Sequence, residues 1–316
     1  MSLVVVTTSP RVAPGLLSHA AWTALRSGPV LTGSADHPLL PYLSEAGIAV
    51  EVVAPEPAGL LDGAGEGDVV WLASPEGEEE LMRAVAHRAL AMDDPPAIEV
   101  LPGSYDLPGA RMLDLVAVMD RLRRECPWDA KQTHASLVPY LLEEAYEVLE
   151  TIERGEEAEL REELGDLLFQ VVFHSRVAQE RDDGFDIDDV VDVIVAKLRR
   201  RHPHVFGSVT VSGAEEVSEN WDAIKAAERA AKGRDSVLDG VPMGQPALSL
   251  AGQLLRRAER AGAPAPLAGD VGQGLGHELF ELVRRAHASG LDPEAELRAA
   301  AHAYRERVRE WESEGH

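Results

Sequence analysis

The sequence predicts a mainly α protein: an all-α four-helix unit with a small α/β layer ahead of it and further helices behind it. Three observations carry this. Short β-branched runs alternate with helical stretches within residues 1–105. From about Gly109 to Lys232 the strand signals vanish, and long stretches dense in Glu, Arg and Leu keep helical spacing. A turn-rich segment with two Pro and three Gly, GRDSVLDGVPMGQP, then separates a last helical region. These shifts divide the chain into 1–105, 106–232 and 233–316.

In the first part, Leu3–Val6, Ile48–Val53, Asp68–Leu72 and Ile98–Leu101 read as strands, spaced by helical stretches such as Glu76–Met92. The middle part holds four main helices. The first runs from about Ala110 to Arg124 and stops before Pro127. The second covers roughly Val138 to Arg154, where Gly155 supplies the exit. The third runs from Glu156 to Glu180. Asp186 is the N-cap of the fourth, which reaches Arg201 before Pro203. The link between the second and third is so short that they should pack as an antiparallel hairpin. In the last part, Ala247–Ala261 and Gly276–Glu314 read as helices around the Pro- and Gly-rich stretch Gly262–Gly274.

Composition narrows the function. With 55 acids against 30 bases the formal charge is −25, which argues against a general grip on nucleic acid polymers. One cysteine, Cys126, excludes an internal disulfide framework and fits a reducing compartment. No apolar run approaches the roughly 20 residues that span a bilayer. The start lacks a basic segment before its short apolar stretch, so the expected location is cytoplasmic.

The chemistry lies in the predicted hairpin. Glu144 and Glu147 share one helical face at i, i+3, with Glu143 beside them, and Glu163 and Asp166 repeat that spacing on the next helix. Each pair lies about two turns from the connecting turn, so the hairpin brings the pairs level. Facing carboxylates repel unless a cation lies between them, and hard oxygen donors suit Mg²⁺ or Mn²⁺. Such an ion takes phosphate oxygens as its remaining ligands, which points to a phosphorylated substrate. A merely solvated acidic face would have the same spacing. Against that, the fourth helix ends KLRRRHPHVFG, where Lys197, Arg200 and Arg201 make a cationic face able to hold phosphate. Helix-dipole complementation is the simpler reading of those cations. Trp221 and Lys225, one turn apart, could cover a base and a phosphate, or pack together. Neither a compact zinc pattern nor a Walker-type or dinucleotide glycine loop is present.

Four segments, CPWDAKQTHASLVPYLLEEAYEVLETIERG, LREELGDLLFQVVFHSRVAQE, KLRRRHPHVFG and ENWDAIKAAER, resemble the MazG family of nucleoside triphosphate pyrophosphohydrolases over roughly Leu113 to Lys232. The family's E-E-x-x-E, fifteen residues, E-x-x-D pattern is met in full. The resemblance implies an all-α, dimeric enzyme that releases pyrophosphate from NTPs or dNTPs. It implies Glu144, Glu147, Glu163 and Asp166 as Mg²⁺ ligands, and Glu143 as the group orienting the attacking water. Lys197, Arg200 and Arg201 would hold phosphates, with Trp221 and Lys225 over the nucleotide. The alternatives are a narrower relative, acting on dUTP or phosphoribosyl-ATP, and a catalytically silent nucleotide-binding regulator. GHELFELV at Gly276–Val283 resembles GDLLFQVV at Gly165–Val172, so the C-terminal part reads as a decayed second copy. There His277 stands for Asp166 and Gly274 for Glu163. Residues 1–105 resemble a truncated tetrapyrrole methylase domain through DHPLL and VLPGSY, without its glycine-rich loop.

Overall fold

The computed structural model describes residues 2–231, 233, 236–264, 267, 269 and 271–314. It forms two compact units, residues 1–193 and 194–316. The first unit opens with an alternating α/β layer: β1 (Ser2–Thr7), α1 (His19–Ala24), β2 (Val30–Thr32), α2 (Leu40–Glu45), β3 (Val50–Val52), α3 (Pro57–Glu66), β4 (Val69–Leu72), α4 (Glu79–Leu90) and β5 (Ala97–Pro102). The sheet is entirely parallel in the order β3-β2-β4-β1-β5, with Leu3 opposite Val69 and Val5 opposite Trp71.

Alternation along the central strands divides their side chains between two cores. Val69 and Trp71 join Leu3, Val5, Leu60 and Val85 beneath α3 and α4. Val70 and Leu72 join Val6, Leu25, Val30 and Leu43 beneath α1 and α2. Four of the strands lie at the predicted runs. The addition is β2, only three residues long between Pro29 and Gly33, too short for period-2 alternation to register.

The neighbouring strands β2 and β4 send their chains to opposite sides of the sheet, to β3 and to β5, and loops splaying from such a point leave a cleft at the carboxyl edge. This one is lined by Thr8, Ser9, His37, Pro38, Pro75 and Ser104 among others, with no Asp, Glu, Lys or Arg in that lining. His37 is buried, 3.1 Å from the Ala73 carbonyl and accepting from the Leu39 amide, and burial lowers its pKa, which keeps it neutral. The wall therefore offers no charge to a phosphate.

Helices follow. α5 (Met112–Glu125), α6 (His134–Arg154) and α7 (Glu157–Ala178) enclose a core of Met119, Leu137, Val172 and Phe173. Arg11, in the loop after β1, bridges Asp106 at 2.7 Å and Asp114 of α5 at 2.5 Å, tying the α/β layer to the first of these helices. α6 begins four residues ahead of the predicted Val138. Thr133 caps it, accepting from the Ser136 amide at 3.2 Å while Ser136 Oγ accepts from the Thr133 amide at 2.9 Å. That reciprocal cap carries the helix through Pro139, where a proline-based reading starts it.

The division between units falls within α8 (Ile187–Arg201). Asp186 caps it as predicted, accepting from the Asp189 amide at 3.0 Å. In the second unit come α9 (Pro203–Phe206), α10 (Ala214–Ala231), α11 (Ala247–Arg260), α12 (Leu275–Ala288) and α13 (Pro293–Ser313). The continuous Gly276–Glu314 helix of the sequence reading is instead two. Gly290 takes a left-handed conformation, φ 71°, and Asp292 starts a new helix by accepting from the Glu294 and Ala295 amides. α11, α12 and α13 pack around Val283, which Gly252 on α11 approaches closely.

Candidate active site

The α6–α7 hairpin is closed by Gly155. Its φ of 72° and ψ of 30° allow its amide to bond the Ile152 carbonyl and the Glu156 amide to bond Thr151. This tight αL turn reverses the chain at once, so α7 returns antiparallel along α6. Leu137 on α6 and Val172 and Phe173 on α7 meet Met119 of α5 and fix the axial register. Buried Thr151, its hydroxyl folded back on the Glu147 and Val148 carbonyls, sits near the turn.

In that register Glu144, Glu163 and Asp166 each offer a carboxylate oxygen within 4.8 Å of the others. Glu144 and Glu163 are half-buried and Asp166 is exposed. Burial, then the charges of Asp166 and Glu147 and a hydrogen bond shared with Glu147, push the Glu144 carboxyl above its usual range. Burial and the neighbouring Glu147 and Asp166 push Glu163 up as well. Glu147 thus acts electrostatically on both, and Glu143 adds to the field on Glu144. Negative charge is concentrated here with no side-chain cation among the causes of either shift. Three convergent hard oxygens, those of Glu144 and Glu163 on carboxyls with raised affinity for a proton, are a donor set that fits a divalent cation.

The other predicted groups belong to the second unit. Arg200 and Arg201, at the end of α8, both bind Glu228 of α10. Arg200 Nε and Nη2 lie 2.8 and 2.7 Å from Glu228 Oε1, and Arg201 Nη2 lies 2.6 Å from Oε2. The two guanidinium groups depress the Glu228 carboxyl from 4.5 to about 2. Lys197 is half-buried. Lys225 Nζ stands 4.3 Å over the Trp221 ring, and the His202 ring is 5.9 Å from the same indole. The predicted residues therefore form two groups: the carboxylates in the first unit, and the cations with Trp221 in the second.

Glu228 escaped the sequence reading, although it lies within the ENWDAIKAAER segment. The signal was available: it lies three residues after Lys225 and seven after Trp221, on one helical face. His134 and His174 were also set aside because they form no metal spacing. Their Nδ1 atoms meet at 2.8 Å with the rings nearly parallel, and His174 Nε2 is buried without a partner. Arg123 is a third addition. It is nearly buried, bonds both oxygens of Glu180 at 2.7 and 2.8 Å, and donates to the Asp129 and Gln132 carbonyls. It thereby links the end of α7 to the segment that enters α6.

In the C-terminal part, Gly274 precedes α12 with φ 77°, and His277 is half-buried with its Nδ1 unpartnered. Glu306 pairs with Arg305 and Arg309. Val283 is buried there, while Leu279 and Leu282 are 43% and 49% exposed. Packing in this part therefore rests on Val283 more than on the two leucines.

Residues 132–206 match the MazG nucleotide pyrophosphohydrolase domain. An uncharacterized 26.1 kDa protein of Streptomyces cacaoi is 52% identical over 240 residues, 75% of this chain and 98% of that protein. A nucleoside triphosphate pyrophosphohydrolase of Mycolicibacterium smegmatis is 43% identical over 65% of this chain, which spans 60% of that relative's length. Its Escherichia coli K12 counterpart is 42% identical over 56% of this chain and 68% of its own. The matched domain contains all the carboxylates and Lys197, Arg200 and Arg201, and stops short of Trp221, Lys225 and Glu228.

Proposed function

Because the chain belongs to the MazG family of nucleotide pyrophosphohydrolases, we propose that it hydrolyses nucleoside triphosphates to the monophosphate and pyrophosphate. The observation that carries the proposal is the convergence of Glu144, Glu163 and Asp166 within 4.8 Å on facing helices. Glu144, Glu147, Glu163 and Asp166 would hold Mg²⁺, with Mn²⁺ as a substitute. The bound cation would neutralise triphosphate charge that these carboxylates alone would repel.

The chain's own residues supply the rest. Water adds across the bond between the α- and β-phosphates, its oxygen to phosphorus and its proton to a glutamate carboxylate. Glu143 orients that water. Lys197, Arg200 and Arg201 hold the phosphates and stabilise charge on departing pyrophosphate. Trp221 and Lys225 cover the nucleotide. The division into a methylase-like part (1–105), a catalytic part (106–232) and a decayed repeat (233–316) belongs to the same proposal.

So does a homodimer. α8 has no buried residue, and its Val191, Val193, Ile194 and Leu198 are exposed, as are Leu142 of α6 and Leu164 of α7. Exposed apolar side chains of this kind are what a second copy covers across a two-fold axis. No helix among the described residues is long and apolar enough to cross a membrane. A cytoplasmic role in clearing unwanted nucleotides from the pool fits this reading.

The test is single-turnover hydrolysis of a nucleotide panel with Mg²⁺, and again with EDTA. The expected result is monophosphate plus pyrophosphate in Mg²⁺ and no turnover in EDTA. Orthophosphate plus diphosphate would place cleavage at the γ-phosphate instead. Binding without turnover would favour the silent regulator. Activity on dUTP or phosphoribosyl-ATP alone would favour the narrower relatives. Glu144→Ala should lower kcat about a hundredfold, the scale for one lost electrostatic stabiliser, while Glu159→Ala, on α7 outside the pattern, stays near wild type.

A further inference from the structure

Glu228 sits where a phosphate would. Two consecutive arginines at the end of α8 converge on its carboxylate, and both of its oxygens are used: Oε1 by Arg200 at 2.7 and 2.8 Å, Oε2 by Arg201 at 2.6 Å. Guanidinium groups prefer planar anions gripped through several oxygens, and a phosphate oxygen pair presents the geometry that this carboxylate presents. The ratio also matters. Two cations share one anion, in a chain whose formal charge is −25. Arg200 is more than half exposed, at 56%, so its guanidinium can turn towards another anion, while Arg201 and Glu228 are each 19% exposed.

We propose that Glu228 is an internal competitor for the polyphosphate: it holds Arg200 and Arg201 between turnovers, yields them to substrate, and recaptures them as pyrophosphate departs. This rests on the reading of Arg200 and Arg201 as phosphate-binding groups. A single carboxylate carries one negative charge. A pyrophosphate group carries more and offers more oxygens, so it displaces Glu228 from the two arginines. Once pyrophosphate loosens, the tethered carboxylate is already beside both arginines at high effective concentration and closes the exit route. Glu228 is therefore a positioning residue that sets how tightly polyphosphate is held, without touching the reacting atoms.

A pair that only pinned α10 to α8 predicts the opposite sign, because freed arginines would lose their orientation and bind polyphosphate less well. The experiment uses the full chain with Mg²⁺ and inorganic pyrophosphate as inhibitor, comparing wild type, Glu228→Gln, Glu228→Asp and Arg200→Ala. The inhibition constant for pyrophosphate and the KM for triphosphate should both fall about tenfold in Glu228→Gln, the scale set by removing one charged competitor. Glu228→Asp keeps the charge with less reach, and should shift both constants the same way by less. If Glu228→Gln loses its helical signal, a fall of both constants in Glu228→Asp relative to wild type decides the matter. An unchanged or raised inhibition constant in the folded Glu228 variants overturns the proposal. If Arg200→Ala weakens pyrophosphate inhibition in that case, only the competitor role fails. If Arg200→Ala also leaves inhibition unchanged, the phosphate-binding assignment fails with it.

Discussion

Replacing Asp166 with asparagine should change stability in opposite directions with and without metal. The side chain keeps its shape and loses its charge. In the metal-free protein one of three convergent carboxylates is then neutral, and its repulsion with Glu144, at up to 4.8 Å between oxygens, is removed. Coulomb's law at that separation gives about 0.9 kcal/mol in bulk water and about 3.5 kcal/mol at an effective dielectric of 20. Asp166 is exposed and Glu144 half-buried, so the gain belongs near the lower figure. About 1 kcal/mol corresponds to a rise of roughly 2–4 °C in Tm for a unit of this size. With metal the sign reverses. Mg²⁺ at a hundred times its Kd stabilises wild type by about 2.7 kcal/mol, and the variant forfeits most of that. Calorimetry of the full chain in EDTA and in Mg²⁺ reads both. Lower stability of Asp166→Asn in EDTA, or an equal gain from Mg²⁺ in both proteins, would refute the electrostatic account.

Three further outcomes follow from the geometry. In EDTA, the contribution of Glu144 and Glu163 has a definite sign: a carboxyl raised in the folded state takes up a proton more readily there than in the unfolded chain. The cost of their burial and of the neighbouring Glu147 and Asp166 charges is therefore relieved as pH falls from 7 through their folded pKa values, above the usual 4.5. Thermal stability should rise over that window in EDTA, while the increment from Mg²⁺ shrinks; a pH-independent increment contradicts this. Arg123→Met should cost about 2–4 kcal/mol in urea titration, since two carbonyls lose a charged donor. The loss stays below that of a stranded buried charge because Glu180 keeps Arg176 at 3.2 Å; a loss under about 1 kcal/mol would make the pair an ordinary surface bridge. In the C-terminal part, Val283→Ala should cost about 2 kcal/mol, whereas His277→Ala should leave kcat and KM unchanged, and loss of turnover in a folded His277→Ala protein would mean a second working site.

Much of this was legible in the sequence because the signals are local. Spacing alone placed Glu144 and Glu147 on one face and Glu163 and Asp166 on another, and Gly155 announced the turn that joins them. Asp186 was recognisable as a cap for the same reason. What escaped depends on partners distant in sequence. Arg123 reads as one of several surface arginines until Glu180, 57 residues on, is seen beside it. Glu228 reads as one more surface acid until α8 delivers Arg200 and Arg201. β2 has too few residues to show a period, and the break at Gly290 competes with continuous apolar spacing on either side. The start of α6 lies four residues ahead of the expected Val138 because Thr133 is a cap whose strength lies in a reciprocal bond with Ser136.

The αL turn at Gly155 also bears on how the protein folds. α6 and α7 are consecutive, and their contacts close only short loops, the class of topology whose folding is fastest. The carboxylates on either side of the turn are therefore brought together by the zipping of one helical hairpin, in advance of slower pairing among the five parallel strands, which are joined by long crossovers. Folding must drive Glu144 against Asp166 before any tertiary frame is complete, so divalent cations should accelerate refolding of this hairpin as well as stabilise its end state.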